Sequence, residues 1–198
     1  MDAKQVLRER IRAARRRLAL APWGAWNDAL TQRVLGLAPV QGARTVFGYV
    51  SRGREPDTAS ILQRLSAGGA TLVLPTAAHA GAAYDRFIVA RRIVTGTRLA
   101  PATPATALTF ADSGILNEVD LFLVPGLMFD EEGYRVGQGG GYFDRVLARA
   151  RPGSLAVGLA FEFQLVPRVP RDLWDVPVAR IVTEERVLRT DQGRAESS

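Results

Sequence analysis

The chain has 198 residues, 47% of them hydrophobic and 23% charged, and a net charge of +6. That is the length of one ordinary domain with a self-sufficient core, and too short for two well-packed domains and a linker. There is no cysteine and a single histidine, His79, which excludes disulfide scaffolds, cysteine-ligated zinc, iron–sulfur clusters, thiol nucleophiles and multi-histidine metal sites and leaves only hard cations on carboxylates.

Residues 3–18 read as a helix, with Leu7, Ile11, Ala14 and Leu18 at helical spacing and arginines on the other faces. Residues 1–18 hold Lys4 and six arginines against Asp2 and Glu9, a net +5, whereas the other 180 residues hold 19 cations against 18 carboxylates. The basicity is therefore local, and a local basic helix suits a polyanion: nucleic acid, a membrane surface or a phosphorylated small molecule. A second helix has Pro22 in its first turn and an apolar stripe of Trp23, Trp26, Leu30, Val34 and Leu37; Pro39 and Gly42 close it. Residues 45–50 (TVFGYV) then read as a buried strand. Asp57 or Thr58 can cap a helix carrying Ile61, Leu62 and Leu65 and ended by Gly68 and Gly69.

Residues 70–75 form a second strand, 84–94 one or two more, and 95–114, rich in Thr, Ala and Pro, a long loop. Residues 119–125 (VDLFLVP) are a strongly apolar strand, followed by a glycine-rich loop and a helix over 142–150; 154–159 and 178–183 are further strands. The expected fold is a single α/β domain over 1–188, a mainly parallel open sheet flanked by helices, with a polar tail over 189–198. No apolar run approaches the roughly 20 residues of a membrane span. The N-terminus lacks the apolar core of a signal peptide, so cytoplasm is the expected location and a membrane is not an expected partner.

In such sheets ligands sit beyond the carboxyl ends of the strands, which directs attention to the loop after 119–125. It contains four glycines in five positions, Gly137, Gly139, Gly140 and Gly141, with Arg135 before them and Asp144 and Arg145 after. Glycines let a backbone approach an anion and turn its N–H groups toward it, and a helix start adds a positive dipole end. A tight turn needing positive φ would use the same residues. The loop is no Walker A sequence, because no Gly-Lys-Ser/Thr follows, and the strand at 45–50 is not followed by GxGxxG.

The segment VPGLMFDEEGYRVGQGGGYFDR, residues 124–145, resembles the signature of the 5-formyltetrahydrofolate cyclo-ligase family: Pro-Gly, Phe-Asp, then Gly-x-Arg-x-Gly-x-Gly-x-Gly-Tyr-Tyr/Phe-Asp-Arg. Three other stretches agree in order. Lys4 to Arg8 is similar to the family's Lys-x-x-Leu-Arg, Glu55 to Thr58 to its Glu-x-x-Thr, and 157–166 with 175–183 to its C-terminal third. The resemblance implies a MgATP-dependent enzyme that closes 5-formyltetrahydrofolate to 5,10-methenyltetrahydrofolate. It phosphorylates the formyl oxygen, which nitrogen 10 then helps displace, and no protein nucleophile is needed.

By the same resemblance Lys4, Arg8, Arg135, Gly137, Gln138, Gly139, Gly140, Gly141, Tyr142 and Phe143 bind ATP, and Val50, Glu55 and Tyr142 meet the folate. Asp144 and Asp175 hold Mg²⁺, and Arg135 and Lys4 act as catalytic cations. Asp130 would stand just behind this set, and the aromatics Trp23, Trp26, Phe110, Phe122 and Phe129 read as packing. The other arginines of the first helix, Arg10, Arg12 and Arg15 to Arg17, read as a solvated face.

Three departures from the family pattern stand out. Many relatives carry Lys or Arg where Gln138 or Gly140 stands, Trp174 replaces a histidine before Asp175, and residues 98–106 lack a Gly-Ile-x-Glu-Pro segment. The expected partners are ATP and a reduced folate, with no nucleic acid, and the expected state is a monomer. The alternatives are a nucleic-acid-binding or regulatory relative using the basic helix, and a MgATP-dependent ligase paralogue acting on another substrate.

Overall fold

The apolar runs at the centre of the chain are strands with both faces covered, which is why they lack the alternation of a half-exposed sheet. The computed structural model describes residues 3–75, 89–93, 108–109 and 114–190, of which 89–93 and 108–109 are described as backbone alone. His79, Phe110, residues 84–88, residues 98–106 and residues 191–198 lie outside the described residues.

Among the described residues the main sheet has eight strands: β1 (Thr45–Phe47), β2 (Thr71–Pro75), β3 (Val89–Ile93), β4 (Leu108–Thr109), β5 (Leu121–Pro125), β8 (Leu155–Leu159), β9 (Arg180–Val182) and β10 (Val187–Arg189). Their order is β10-β9-β8-β5-β1-β2-β3-β4. The run from β9 to β2 is parallel, and β10, β3 and β4 add antiparallel edges. A separate antiparallel pair, β6 (Met128–Phe129) and β7 (Arg135–Val136), lies within the loop after β5.

The helices are α1 (Ala3–Arg17), α2 (Leu20–Leu35), α3 (Ala38–Gln41), α4 (Ala59–Ala67) and α5 (Tyr142–Leu147). Side chains alternate across the parallel strands. Val46, Leu72, Leu74, Leu121, Leu123 and Val157 pack with Leu30 and Val34 of α2 and Ile61 and Leu62 of α4. Phe47, Val73, Phe122 and Val124 pack on the opposite face with Val146 and Leu147 of α5. The expected α/β architecture is thus present, with helices on both faces.

Several details differ from the sequence reading. The second helix stops at Gly36, and Pro39 instead starts the separate short α3. The strands are one to three residues shorter than their apolar runs, because the flanking residues leave the ladder. Leu108–Thr109 pairs as β4 within the stretch expected to be loop. The first two residues of the expected tail are tied to the sheet: Arg189 pairs with Arg180, and Thr190 is fully buried with its hydroxyl donating to the Val178 carbonyl at 2.6 Å.

One contact fixes the sheet to the loop that carries the site. The Phe129 ring is wholly buried between Gly126 and Gly158. A Cβ on Gly158 would stand 2.5 Å from Phe129 Cε1. The mutation Gly158→Ala is therefore expected to destabilise by about 1–3 kcal/mol through overpacking. A Tm drop of several degrees in calorimetry checks it, and an unchanged Tm would show that the ring can move aside.

Candidate active site

The site is built from the chain that leaves β5. Gln164 is fully buried; its Nε2 donates to the carbonyls of Gly126 (3.1 Å) and Leu127 (2.9 Å), and its Oε1 accepts the Phe161 N–H (2.9 Å). This fixes where the loop starts. Asp130, also fully buried, accepts N–H groups from Tyr134 (3.0 Å) and Val169 (3.2 Å) and pairs with Arg171 (3.1 Å). It thereby holds the β6–β7 hairpin in shape and stays behind the site.

The hairpin delivers Arg135 at β7. Its guanidinium is almost completely buried and donates to the Val176 carbonyl (2.6 Å) and to Asp144 Oδ1 (2.9 Å). Asp144 Oδ1 also accepts the Val176 N–H at 3.3 Å. Burial pushes the Arg135 pKa below its usual value, against the pull of Asp144 and Asp175. The side chain expected to neutralise phosphate directly is therefore committed to Asp144 and to the backbone before Pro177.

The glycines divide into two kinds. Gly139 (φ +115°) and Gly141 (φ +58°) have backbones that L side chains rarely adopt, so the turn itself explains them. Gly137 and Gly140 have no positive φ, and a Cβ on either would meet nothing within 4 Å. Both line a cleft with Glu55, Gln138, Gly141, Tyr142, Phe143 and Asp144. A second hollow on the outer side of the loop is lined by Gly139 to Gly141, Asp144, Arg145, Ala148 and Trp174. The turn does not require glycine at 137 and 140, whereas close approach of a ligand would. The helix start adds little: α5 is six residues long and carries Asp144 in its first turn. Phe143 packs edge-on against Phe47 and Tyr49, which makes it the floor of the cleft; Tyr142 stands beside it.

Helix α1 lies against this loop. Ile11, with Leu7 beside it, packs on Leu127, Met128, Val136 and Val169, so the hairpin is its seat. Four cations then follow one line down the helix. Lys4 Nζ meets Asp172 Oδ2 (2.6 Å) and Asp175 Oδ2 (2.7 Å). Arg8 Nε donates to the Gly137 carbonyl (3.1 Å), and Arg12 Nη2 donates to Gln138 Oε1 (2.8 Å). Arg15 Nη2 pairs with Glu55 Oε1 (3.3 Å). Burial alone would lower the Lys4 pKa, but its hydrogen bonds to Asp172 and Asp175, and their charge, raise it overall. Burial lowers the pKa of Arg15.

Two of these cations correct the sequence reading, in which Arg12 and Arg15 were solvated surface. Arg15 is 7% exposed, and Arg12 touches the glycine loop. The positions 4, 8, 12 and 15 share one helical face, and that spacing was the available signal. Arg10, Arg16 and Arg17 are exposed.

Glu55 closes the other side of the cleft. Its Oε2 accepts the Arg52 N–H (3.0 Å), its Oε1 faces Gln138 Nε2 (3.5 Å), and its carbonyl accepts the Trp23 indole N–H (3.2 Å). Trp23, expected to be packing alone, also positions Glu55. Val50 does not join this group: it is 60% exposed, and the described lining of the cleft does not include it. Among the described residues no group of three or more carboxylates or histidines could cage a metal ion. Mg²⁺, however, keeps several waters and commonly takes one or two carboxylates plus substrate phosphates. Asp144, at the junction of the two hollows, suits that role, whereas Asp175 Oδ2 is taken up by Lys4 and by the Asp172 N–H (2.8 Å).

The chain as a whole matches a known family. Residues 1–184 match the family model described as the 5-formyltetrahydrofolate cyclo-ligase family. The chain belongs to that family. It is an enzyme of it, and its relatives carry the same name. The 5-formyltetrahydrofolate cyclo-ligase of Haemophilus influenzae is 30% identical over 192 residues, 90% of this chain and 96% of the relative. That of Mus musculus is 26% identical over 93% and 95%. The NMR structure of Aquifex aeolicus 5,10-methenyltetrahydrofolate synthetase superposes with a TM-score of 0.76 at 29% identity, covering 96% of this chain and 94% of that one. No helix among the described residues is long and apolar enough to cross a membrane.

Proposed function

We propose that this enzyme uses MgATP to cyclise 5-formyltetrahydrofolate to 5,10-methenyltetrahydrofolate, releasing ADP and phosphate. The observation that carries this reading is the meeting, at Gln138, of a glycine loop with open space at Gly137 and Gly140 and a carboxylate, Glu55, held from three sides. The loop suits the polyphosphate, and the carboxylate suits the hydrogen-bond-donating 2-amino edge of a pterin.

The formyl oxygen attacks the γ-phosphorus; that bond forms as the bond to the β–γ bridging oxygen breaks and ADP leaves. Nitrogen 10 then attacks the activated carbon and loses its proton to water, and the carbon–oxygen bond breaks as phosphate departs. Positioning and charge neutralisation are all that the protein must supply. Arg8 and the loop N–H groups face the phosphates, and Tyr142 and Phe143 wall the cleft. Asp144 holds the nucleotide's Mg²⁺, and Arg135 fixes Asp144. Lys4, with Asp172 and Asp175, ties α1 down over the loop, a different role from direct charge neutralisation or a second metal ligand.

The assay is the rise of the near-ultraviolet absorbance of methenyltetrahydrofolate from 5-formyltetrahydrofolate with MgATP. Product that needs both ATP and Mg²⁺ is expected. ATP turnover with another acid and none with this folate would favour a ligase paralogue. A second expectation isolates the loop: Gly140→Val should keep the Tm within about 2 °C, since its Cβ meets nothing. It should weaken ATP binding by about tenfold or more, which titration calorimetry reads. Unchanged nucleotide affinity would remove the loop from ATP binding.

A further inference from the structure

We infer that Arg12 is a catalytic residue of this enzyme, the cation that touches the phosphoryl group as it passes from nucleotide to folate. The inference rests on the proposed function and concerns a residue that the sequence reading placed on the surface.

The first observation is where Arg12 arrives. Gln138 is the one side chain in the run from Gly137 to Gly141, and it is neutral. It lines the cleft between the loop glycines and Glu55, whose Oε1 is 3.5 Å from its Nε2. If phosphates lie on the loop and the pterin lies on Glu55, the reacting oxygen and phosphorus meet beside Gln138. Arg12 Nη2 is 2.8 Å from Gln138 Oε1 and 3.5 Å from its carbonyl.

The second observation is how the neighbouring cations are occupied. Lys4 is paired with Asp172 and Asp175, Arg15 with Glu55, and Arg135 with Asp144. Among the described residues the polar contacts of Arg12 are with Gln138, a neutral acceptor. A guanidinium has five N–H donors in a planar fork that matches phosphate oxygens. Arg12 therefore keeps both charge and donors to offer.

The third is that its reach is fixed. Ile11, the adjacent residue, is buried against the hairpin, and Arg8 and Arg15, one turn to either side, bond Gly137 and Glu55. Helix α1 thus holds the Arg12 stem at a set distance from the loop. As the formyl oxygen bonds to the γ-phosphorus and the β–γ bridging bond breaks, charge spreads over the transferred oxygens and the departing ADP. A fixed guanidinium there stabilises the transition state more than either ground state.

The test is steady-state kinetics of the full chain with MgATP and 5-formyltetrahydrofolate. Arg12→Ala is expected to lower kcat by about 100-fold or more while both KM values stay within about threefold. Arg12→Lys should retain part of the lost rate, and adding Gln138→Arg to Arg12→Ala should restore about tenfold or more by returning a cation to the same point. A kcat within about threefold of wild type in Arg12→Ala would overturn the inference. So would a loss expressed wholly in KM, or one that neither Arg12→Lys nor Gln138→Arg repairs. Wild-type protein that makes no methenyltetrahydrofolate would instead overturn the proposed function, so the two failures are distinguishable.

Discussion

Asp144→Asn is expected to lower kcat by about 100-fold or more while the Kd for 5-formyltetrahydrofolate stays within about threefold. Asparagine keeps the shape and one carbonyl oxygen, so the Val176 N–H at 3.3 Å keeps its acceptor. What disappears is the negative charge between the cleft and the outer hollow. That charge balances the buried Arg135 and, in the proposed function, offers an oxygen to the Mg²⁺ of the nucleotide. In the proposed function the folate side of the cleft rests on Glu55, which is held by Arg15, Arg52 and Gln138. Folate affinity should therefore survive, and the Mg²⁺ concentration for half-maximal rate should rise. Titration of folate binding beside turnover at graded Mg²⁺ checks both. Equal loss of turnover and folate affinity, with an unchanged Tm, would show that Asp144 shapes the whole cleft and holds no metal.

The parts of the fold that could be read from sequence are those whose pattern is set by burial. The strands β1, β2, β5, β8 and β9 lie within continuous apolar runs because helices cover both faces of the sheet. The β6–β7 pair was invisible for a physical reason. Two residues per strand carry no period, and its shape depends on the buried Asp130, whose partners Val169 and Arg171 lie about forty residues later. The extent of α1 was legible, and Lys4 and Arg8 were singled out by motif alone. Arg12 and Arg15 were not, because arginines stand on every exposed face of that helix and composition cannot say which face turns inward. The apolar positions held the answer. Leu7 and Ile11 seat the helix, and Arg8 and Arg12 each follow one of them by a single residue, on the rim of the buried stripe. Gln164 had no sequence signal at all, since a glutamine becomes informative only when its burial forces it to find three backbone partners.

The Arg135–Asp144 pair allows stability and chemistry to be separated. Arg135→Met is expected to destabilise the fold by about 3–5 kcal/mol, the usual cost of removing one partner of a buried ion pair. It leaves Asp144 without its counter-charge and the Val176 carbonyl without a 2.6 Å donor. For a domain of this size that is a Tm drop of about 6–20 °C, a large part of a typical total stability of about 5–15 kcal/mol. Turnover should fall with it, because Asp144 is then free to rotate away from the loop. Arg135→Met combined with Asp144→Leu removes both charges and fills the space with apolar atoms, so much of the lost stability should return. Activity should not return, since the carboxylate proposed to hold Mg²⁺ is gone. Calorimetry and the methenyl absorbance assay on the two single variants and the double variant give the full cycle. A double variant as unstable as Arg135→Met would mean that the pair's value lies in its hydrogen bonds to Val176. A double variant that regained turnover would show that neither charge takes part in the reaction.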